Sequence, residues 1–308
     1  MISFVRQAVA RAPELFAVVV AAAVGLFFPE PGRSVARHDG LNIVLAVLVF
    51  CSALTVPQRV MARLRDLGFR IVAVTAATSG AVVVLAWAVS HLVPNGALRF
   101  GVLAVGLAPV EIATLGIAPL GGGDALASGV MLMVSTALTA LFAGPLTVLL
   151  ATGATVPVGR VVWTLVIIVV APFAAGLVLR TRLPDRAIAR AGSGAAVAVT
   201  ILVWLVASAA HVSHAYLSVV LALTVLIVAG AVVGIGLGRL LDSSAAVSAV
   251  FAASMRDFAI AAGIDAAAFG TAAAAPLGVY GIMVMAWGTG LAALLRHQRA
   301  AQPGRTGH

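Results

Sequence analysis

Four ionisable residues stand well inside long apolar runs: Glu111, Arg256, Asp257 and Asp265. A charge at the centre of a membrane helix costs roughly 2.5–3.5 kcal/mol, so each of them needs a charged partner, water or a solute. Burial disfavours the charged form of a carboxylate, and Glu111 and Asp257 are therefore candidates to take up and release a proton. A guanidinium keeps its proton, so Arg256 must be met by a fixed partner, for which Glu111 or Asp257 are available. As sequence neighbours, Arg256 and Asp257 would not face one another on a regular helix. Around Glu111 the chain is unsuited to a continuous helix. Pro109 and Pro119 remove backbone donors, while Gly116 and Gly121-Gly122-Gly123 weaken the continuation of the helix. Broken backbone at membrane depth is tolerated only where it is buried in protein or lines a watery cavity. The stretches near 109–116 and 253–258 are therefore expected to lie side by side and form a substrate or ion pathway. Pro109, Glu111, Thr114, Ser128, Ser254, Arg256 and Asp257 are its candidate residues. Ser128, Ser135, Thr136 and Thr139 recur at spacings that suit either interhelix hydrogen bonds or cation coordination.

Composition shows what kind of framework holds these groups. Of 308 residues, 62% are hydrophobic and 9% charged, against about 25% charged in a soluble domain. Apolar runs near 14–28, 40–57, 70–93, 99–119, 124–150, 160–180, 193–211, 215–239, 245–269 and 274–296 each approach the length of about 20 residues that crosses a bilayer. Without polar–apolar alternation, a spanning barrel is disfavoured.

All 19 basic residues are arginine, and the net charge is +9. All but Arg256 fall in the breaks between runs, which argues against a nucleic-acid surface and for topology signals. With a cytoplasmic N-terminus, the inner segments hold Arg6, Arg11, Arg59, Arg63, Arg65, Arg70, Arg180, Arg182, Arg186, Arg190, Arg239, Arg296, Arg299 and Arg305. Only Arg33, Arg37, Arg99 and Arg160 fall outside. This bias predicts a multi-pass protein of a bacterial-type inner (plasma) membrane, surrounded by membrane lipid, with both termini cytoplasmic and an even number of crossings.

The two halves also correspond. Each carries one late, interrupted helix, 104–128 and 249–270, and Glu111-Ile112-Ala113 aligns with Asp257-Phe258-Ala259. Five helices per half gives repeats of opposite orientation, the plan of many secondary transporters. The expected fold is an all-α membrane protein of about ten transmembrane helices in two inverted five-helix repeats, 1–150 and 151–296, with a cytoplasmic tail at 297–308.

Other chemistry finds little support. The single Cys51 excludes an internal disulfide and a cysteine metal cluster. His38, His91, His211, His214, His297 and His308 lie near helix ends or in tails, and the His211/His214 pair lacks a third ligand, so no metal site is expected. No Ser-His-Asp set, phosphate loop or HExxH is present, which argues against an enzyme or an ATP-driven pump.

The segment 109-PVEIATLGIAPLGGGDALASGVMLMVST-136 resembles the fourth and fifth helices of the bile acid:sodium symporter family, whose wider superfamily includes arsenite efflux permeases. The segment 251-FAASMRDFAIAAGIDAAAFG-270 resembles its ninth helix and is closest to the arsenite branch. The resemblance implies a panel domain and a core domain, with broken fourth and ninth helices crossing at the binding site, and sodium sites. At the implied sodium-ligand positions Thr114 and Ser128 keep a hydroxyl, but Leu115 and Leu132 replace Asn and Thr, Ala252 replaces Glu, and Arg256-Asp257 replace Gln-Asn. Too few oxygens remain to replace a cation's hydration shell. Val110 stands where the arsenite branch has a cysteine. The expected function is alternating-access transport of a small, anionic organic solute, with sodium or a proton as the coupling ion and no other cofactor. The rival expectations are a metalloid efflux permease and a membrane receptor on the same fold.

Overall fold

The computed structural model describes residues 13–56, 68–150, 158–209, 215–269, 274 and 276–300. Among these residues all regular structure is helical. In chain order the helices are α1 (Pro13–Phe27), α2 (Pro29–Arg37), α3 (Gly40–Thr55), α4 (Gly68–Ser90), α5 (Gly96–Leu107), α6 (Thr114–Leu120) and α7 (Ala125–Leu150). They continue with α8 (Val158–Leu165), α9 (Ala171–Arg180), α10 (Asp185–Ala209), α11 (Ala215–Gly238), α12 (Ser243–Ser254), α13 (Phe258–Phe269) and α14 (Pro276–Ala300). Six stretches are long and apolar enough to cross a membrane, lying in α4, α7, α8 with α9, α10, α11 and α14, or seven with the bent pair α1–α2.

Three boundaries depart from the sequence reading. Residues 29–37, expected as an outer loop, form α2, bent by 92° from α1. Pro29 and Pro31 fall in its first turn, where backbone N–H groups have no helical partner to lose. Arg33 ties this helix to the end of α10 by donating from Nε to the Ser208 carbonyl at 2.9 Å. Helix α10 starts at Asp185, earlier than 193, because the Ala-rich stretch sustains a helix while Arg186 and Arg190 stay exposed. Helix α14 continues through 300, so the segment expected to be a tail from 297 starts as helix. Between α8 and α9 one π turn, Val166–Val170, precedes Pro172, whose ring blocks the regular ladder. His211, His214, Arg59, Arg63 and Arg65 lie outside the described residues.

Packing sorts the helices into two groups. In one, α10 packs on α1, α2 and α3, and α9 packs on α3. In the other, α4 packs on α5, α7 and α11, and α11 packs on α12. The two groups meet where α13 touches α3, α8 and α10 and where α14 touches α1 and α10.

The contact of α11 with α12 shows why small residues are needed. A Cβ on Gly230 would lie 2.6 Å from the Ala253 carbonyl, and one on Gly234 would lie 2.6 Å from Val250 Cα. This spacing of glycines, with Ala246, Ala249 and Ala253 opposite, lets two backbones approach where dispersion contacts, not water, drive association. The outer surface is apolar, with Phe69 84% and Leu217 75% exposed, which suits a hydrocarbon solvent.

Candidate functional site

Helix α5 stops at Leu107 and its continuation α6 starts at Thr114; α12 stops at Ser254 and α13 starts at Phe258. Pro109 explains the first stop, because it supplies no N–H and disfavours a helical residue before it. The second break contains neither Pro nor Gly, and Met255 is extended there (φ −112°, ψ 105°).

The two breaks lie against each other. Glu111 N–H donates to the Met255 carbonyl at 2.9 Å, and Asp257 N–H donates to the Pro109 carbonyl at 2.8 Å. Val110 and Arg256 form the antiparallel bridge between them. Each break thus satisfies peptide groups that the other helix's interruption leaves bare. The remaining Val110 N–H donates to Ser135 Oγ on α7 at 3.0 Å, and Thr139 Oγ1 donates to the Leu107 carbonyl at 2.9 Å. Ser135 and Thr139 therefore serve as interhelix hydrogen-bonding groups that hold the end of α5. Thr136 instead spends its hydroxyl on Leu132 of its own helix.

An extended backbone sends successive side chains to opposite sides, and here that divides the charges. Glu111 and Asp257 project to one side, into a cavity of about 200 Å³ between the two helix groups. Val18 of α1, Leu48, Ser52 and Thr55 of α3, and Gly192 and Val199 of α10 form its far wall. Val110 and Arg256 project to the other side, among Thr75, Thr78 and Ser79 of α4.

All three charges are buried: Glu111 is 6%, Arg256 2% and Asp257 2% exposed. Helix ends offset part of that cost. Asp257 caps α13, its Oδ1 accepting from Ile260 N–H at 2.9 Å, and the Glu111 carboxylate faces the peptide N–H groups of Ala113 and Phe258. Both carboxylates thus sit at the positive ends of helices. Arg256 does the reverse. Its Nη2 donates to the Ala108 carbonyl and, at 3.4 Å, to the Gly106 carbonyl, at the negative end of α5.

The sequence reading offered Arg256 a carboxylate partner. Among the described residues no ion pair joins Arg256 to Glu111 or Asp257, and the pair present is Arg33–Glu30. Its direct partners are peptide carbonyls because the alternation of the extended break carries Arg256 to the face away from both carboxylates. Nε and Nη1 of Arg256, Thr78 Oγ1 and Ser79 Oγ have no hydrogen-bond partner among the described residues.

The other candidates divide. Thr114 begins α6 and donates from Oγ1 to the Glu111 carbonyl at 2.7 Å, which fixes the first break. Ser254 ends α12, and its Oγ donates to Val250 and accepts from Trp287 Nε1 at 3.0 Å. Ser128 lies in the first turn of α7 with its hydroxyl on the Asp124 carbonyl, and it lines none of these cavities. Asp265 is fully buried on α13, with neither oxygen bonded among the described residues.

Two residues escaped the sequence reading. Ser52 lines the carboxylate cavity with its Oγ unpartnered among the described residues, and its spacing to Thr55 on one helix was the available signal. Buried Tyr280 accepts the Arg256 N–H at its hydroxyl, 3.2 Å away. No sequence motif pointed to it.

The model of the sodium bile acid symporter family matches residues 42–229. The chain belongs to that family. No individual curated protein matches it. The protein is therefore a multi-pass membrane transporter of the bile acid:sodium symporter type, and the paired breaks belong to a transporter. The match takes in Pro109, Glu111, Thr114 and Ser128 but ends before Ser254, Arg256 and Asp257.

Proposed function

We propose that this protein is a sodium-independent, proton-coupled secondary transporter that moves a small organic solute across a bacterial-type inner membrane by alternating access. The observation that carries the reading is the division of charge at the crossed breaks, with Glu111 and Asp257 on the cavity side and Arg256 behind them. Arg256 stands among the Gly106 and Ala108 carbonyls and near Thr75, Thr78 and Ser79, a set of oxygens of the kind that would otherwise suit a small cation. Its guanidinium is a permanent positive charge there, so a mobile sodium ion is not needed for charge balance. The carboxylates remain as the groups that can gain and lose a proton in the cavity.

The architecture supports rocking of one helix group against the other. Helices α1, α3, α8–α9 and α10 make the panel, the crossed helices belong to the core, and the cavity lies at their interface. The interrupted pairs α5–α6 and α12–α13, together with α1 and α3, would raise the six long spans to ten crossings. Two inverted five-helix repeats, 1–150 and 151–296, then result, with contact α4–α5 answered by α11–α12 and α1–α10 answered by α3–α9. The arginine distribution supports cytoplasmic termini.

Reconstitution into liposomes with a trapped pH indicator tests the coupling. A panel of organic anions, cations and zwitterions, with arsenite included, is added in sodium or in potassium buffer. Solute-elicited proton movement of equal size in both buffers is expected, and it is lost when Glu111→Gln and Asp257→Asn are combined. Uptake that rises steeply with external sodium refutes the reading, and arsenite as the sole transported solute favours a metalloid permease instead.

A further inference from the structure

We infer that the solute carried through this cavity is a monovalent organic cation and that it exchanges one for one with a proton on the Glu111–Asp257 pair. This rests on the proposed transport reading and adds the substrate class. It reverses the sign of charge expected from the family resemblance.

The cavity's own chemistry leads there. Its charged lining residues are Glu111 and Asp257. Glu111 is more than nine-tenths buried, yet its Oε2 has no hydrogen-bond partner among the described residues. A buried acceptor left bare is unfavourable, more so when charged, so a donor that fills it is favoured. Ser52 Oγ, equally bare, is on the panel side of the same cavity. An anion would meet two carboxylates with no cation in reach of it, since Arg256 is turned to the opposite face and held by the end of α5.

Charge balance fixes the valence. Two ionised carboxylates and one guanidinium leave a single net negative charge at the crossed breaks. One proton or one monovalent cation neutralises it, and the two cannot do so together without leaving a positive excess in low dielectric. Mutually exclusive occupancy of one site is what exchange requires. Apart from Ser52 and Thr55 the rest of the wall is apolar, with Val18, Leu48, Ile112, Val199, Phe258 and Met285, and suits a hydrocarbon body better than a hydrated inorganic ion.

The other titratable groups around the pair leave this balance intact. Tyr280 on α14 is buried with its hydroxyl on the Arg256 N–H. Cys51 on α3 adjoins Ser52 and is a free thiol. On α10, Arg186 and Arg190 precede Gly192 and are exposed. Asp265 lies about 12 Å farther along α13 at the usual helical rise and lines none of the cavities around the breaks.

Phenyltrimethylammonium and benzenesulfonate are matched in shape, fixed in charge and unable to cross lipid as neutral species, which makes them suitable probes. Full-length protein is reconstituted into liposomes with an acidic lumen, and uptake of each labelled probe is followed with the membrane potential clamped. The cation should accumulate at least tenfold above protein-free liposomes, independently of the clamped potential, while the anion does not. Glu111→Gln and Asp257→Asn should each reduce uptake at least tenfold. A second measurement does not depend on those variants folding: adding phenyltrimethylammonium to native protein in weakly buffered detergent should release about one proton per chain. Accumulation of benzenesulfonate alone overturns the cation assignment but leaves a transporter. Uptake of the cation that tracks the potential and not the pH gradient overturns one-for-one exchange. Failure of both probes to bind or move overturns the cation assignment, and if the solute panel is also silent the transport reading falls with it.

Discussion

Replacing Arg256 by Gln removes the one buried positive charge at the crossed breaks. The guanidinium now donates to the Ala108 and Gly106 carbonyls at the end of α5, and charge-assisted bonds of this kind contribute about 1.5–3 kcal/mol each. Only the first is close. Its removal also exposes Glu111 and Asp257 to each other without the compensating charge behind them, and the cost of leaving a buried charge uncompensated is about 3–5 kcal/mol. The amide of Gln can still donate to one carbonyl, which recovers roughly 1 kcal/mol. The net loss is about 3.5–7 kcal/mol, enough to lower the thermal midpoint by roughly 10–20 °C. The assay is thermal unfolding of native and variant protein in the same detergent, in potassium and then in sodium. Sodium should raise the midpoint of Arg256→Gln while leaving the native protein unchanged, because the vacated carbonyls and the hydroxyls of Thr75, Thr78 and Ser79 are then free to face a cation. Arg256→Lys, which keeps the charge but not the planar fork, should fall between the two. A Gln variant as stable as the native protein, with no response to sodium, would show that the guanidinium balances nothing.

Other consequences are smaller and separable. Ser135→Ala strips the Val110 N–H of its partner, and an unsatisfied buried donor should lower stability by about 1–3 kcal/mol, read as a fall in the thermal midpoint, with solute-driven flux falling alongside it. Gly234→Val should block the approach of α11 to α12 and abolish the folded, monodisperse peak in size-exclusion chromatography, whereas Gly236→Ala, which meets nothing within 4 Å, should elute as the native protein does. Ser254→Ala loses the Trp287 contact and should cost about 1 kcal/mol without changing the apparent affinity for solute, because Ser254 bonds within the protein and does not line the cavity. A change in affinity without a change in stability would return Ser254 to the pathway.

How legible these features were depended on whether a side chain or a peptide group carried them. Pro109 and the glycines after it announce the first break in any apolar run. The second break has no such residue. It could be read only because Arg256-Asp257 is too polar for a helix centre and because Asp257-Phe258-Ala259 matches Glu111-Ile112-Ala113 across the halves. Helix α2 was missed because Pro29, Pro31 and Gly32 look like breakers, although proline suits a first turn and Gly32 is needed for close contact with Ser208. The partners of Arg256 had no signature at all, since peptide carbonyls are present at every residue and only the fold decides which are left bare.

The same reasoning accounts for how two adjacent residues can belong to different parts of the transporter. On a helix, Arg256 and Asp257 would be about 100° apart, neither facing one another nor lying on opposite sides. In an extended stretch they point oppositely, and the bridge to Val110 aligns the second break with the first so that Glu111 joins Asp257. The break therefore does more than expose peptide groups. It separates a permanent charge, held through Nη2 by the end of a helix, from two carboxylates that face the cavity. Restoring a regular helix through 254–258 would bring Arg256 toward the carboxylate side and let it form the internal ion pair that the sequence alone suggests. The site would then be neutralised from within, and neither proton nor solute would be required to complete it.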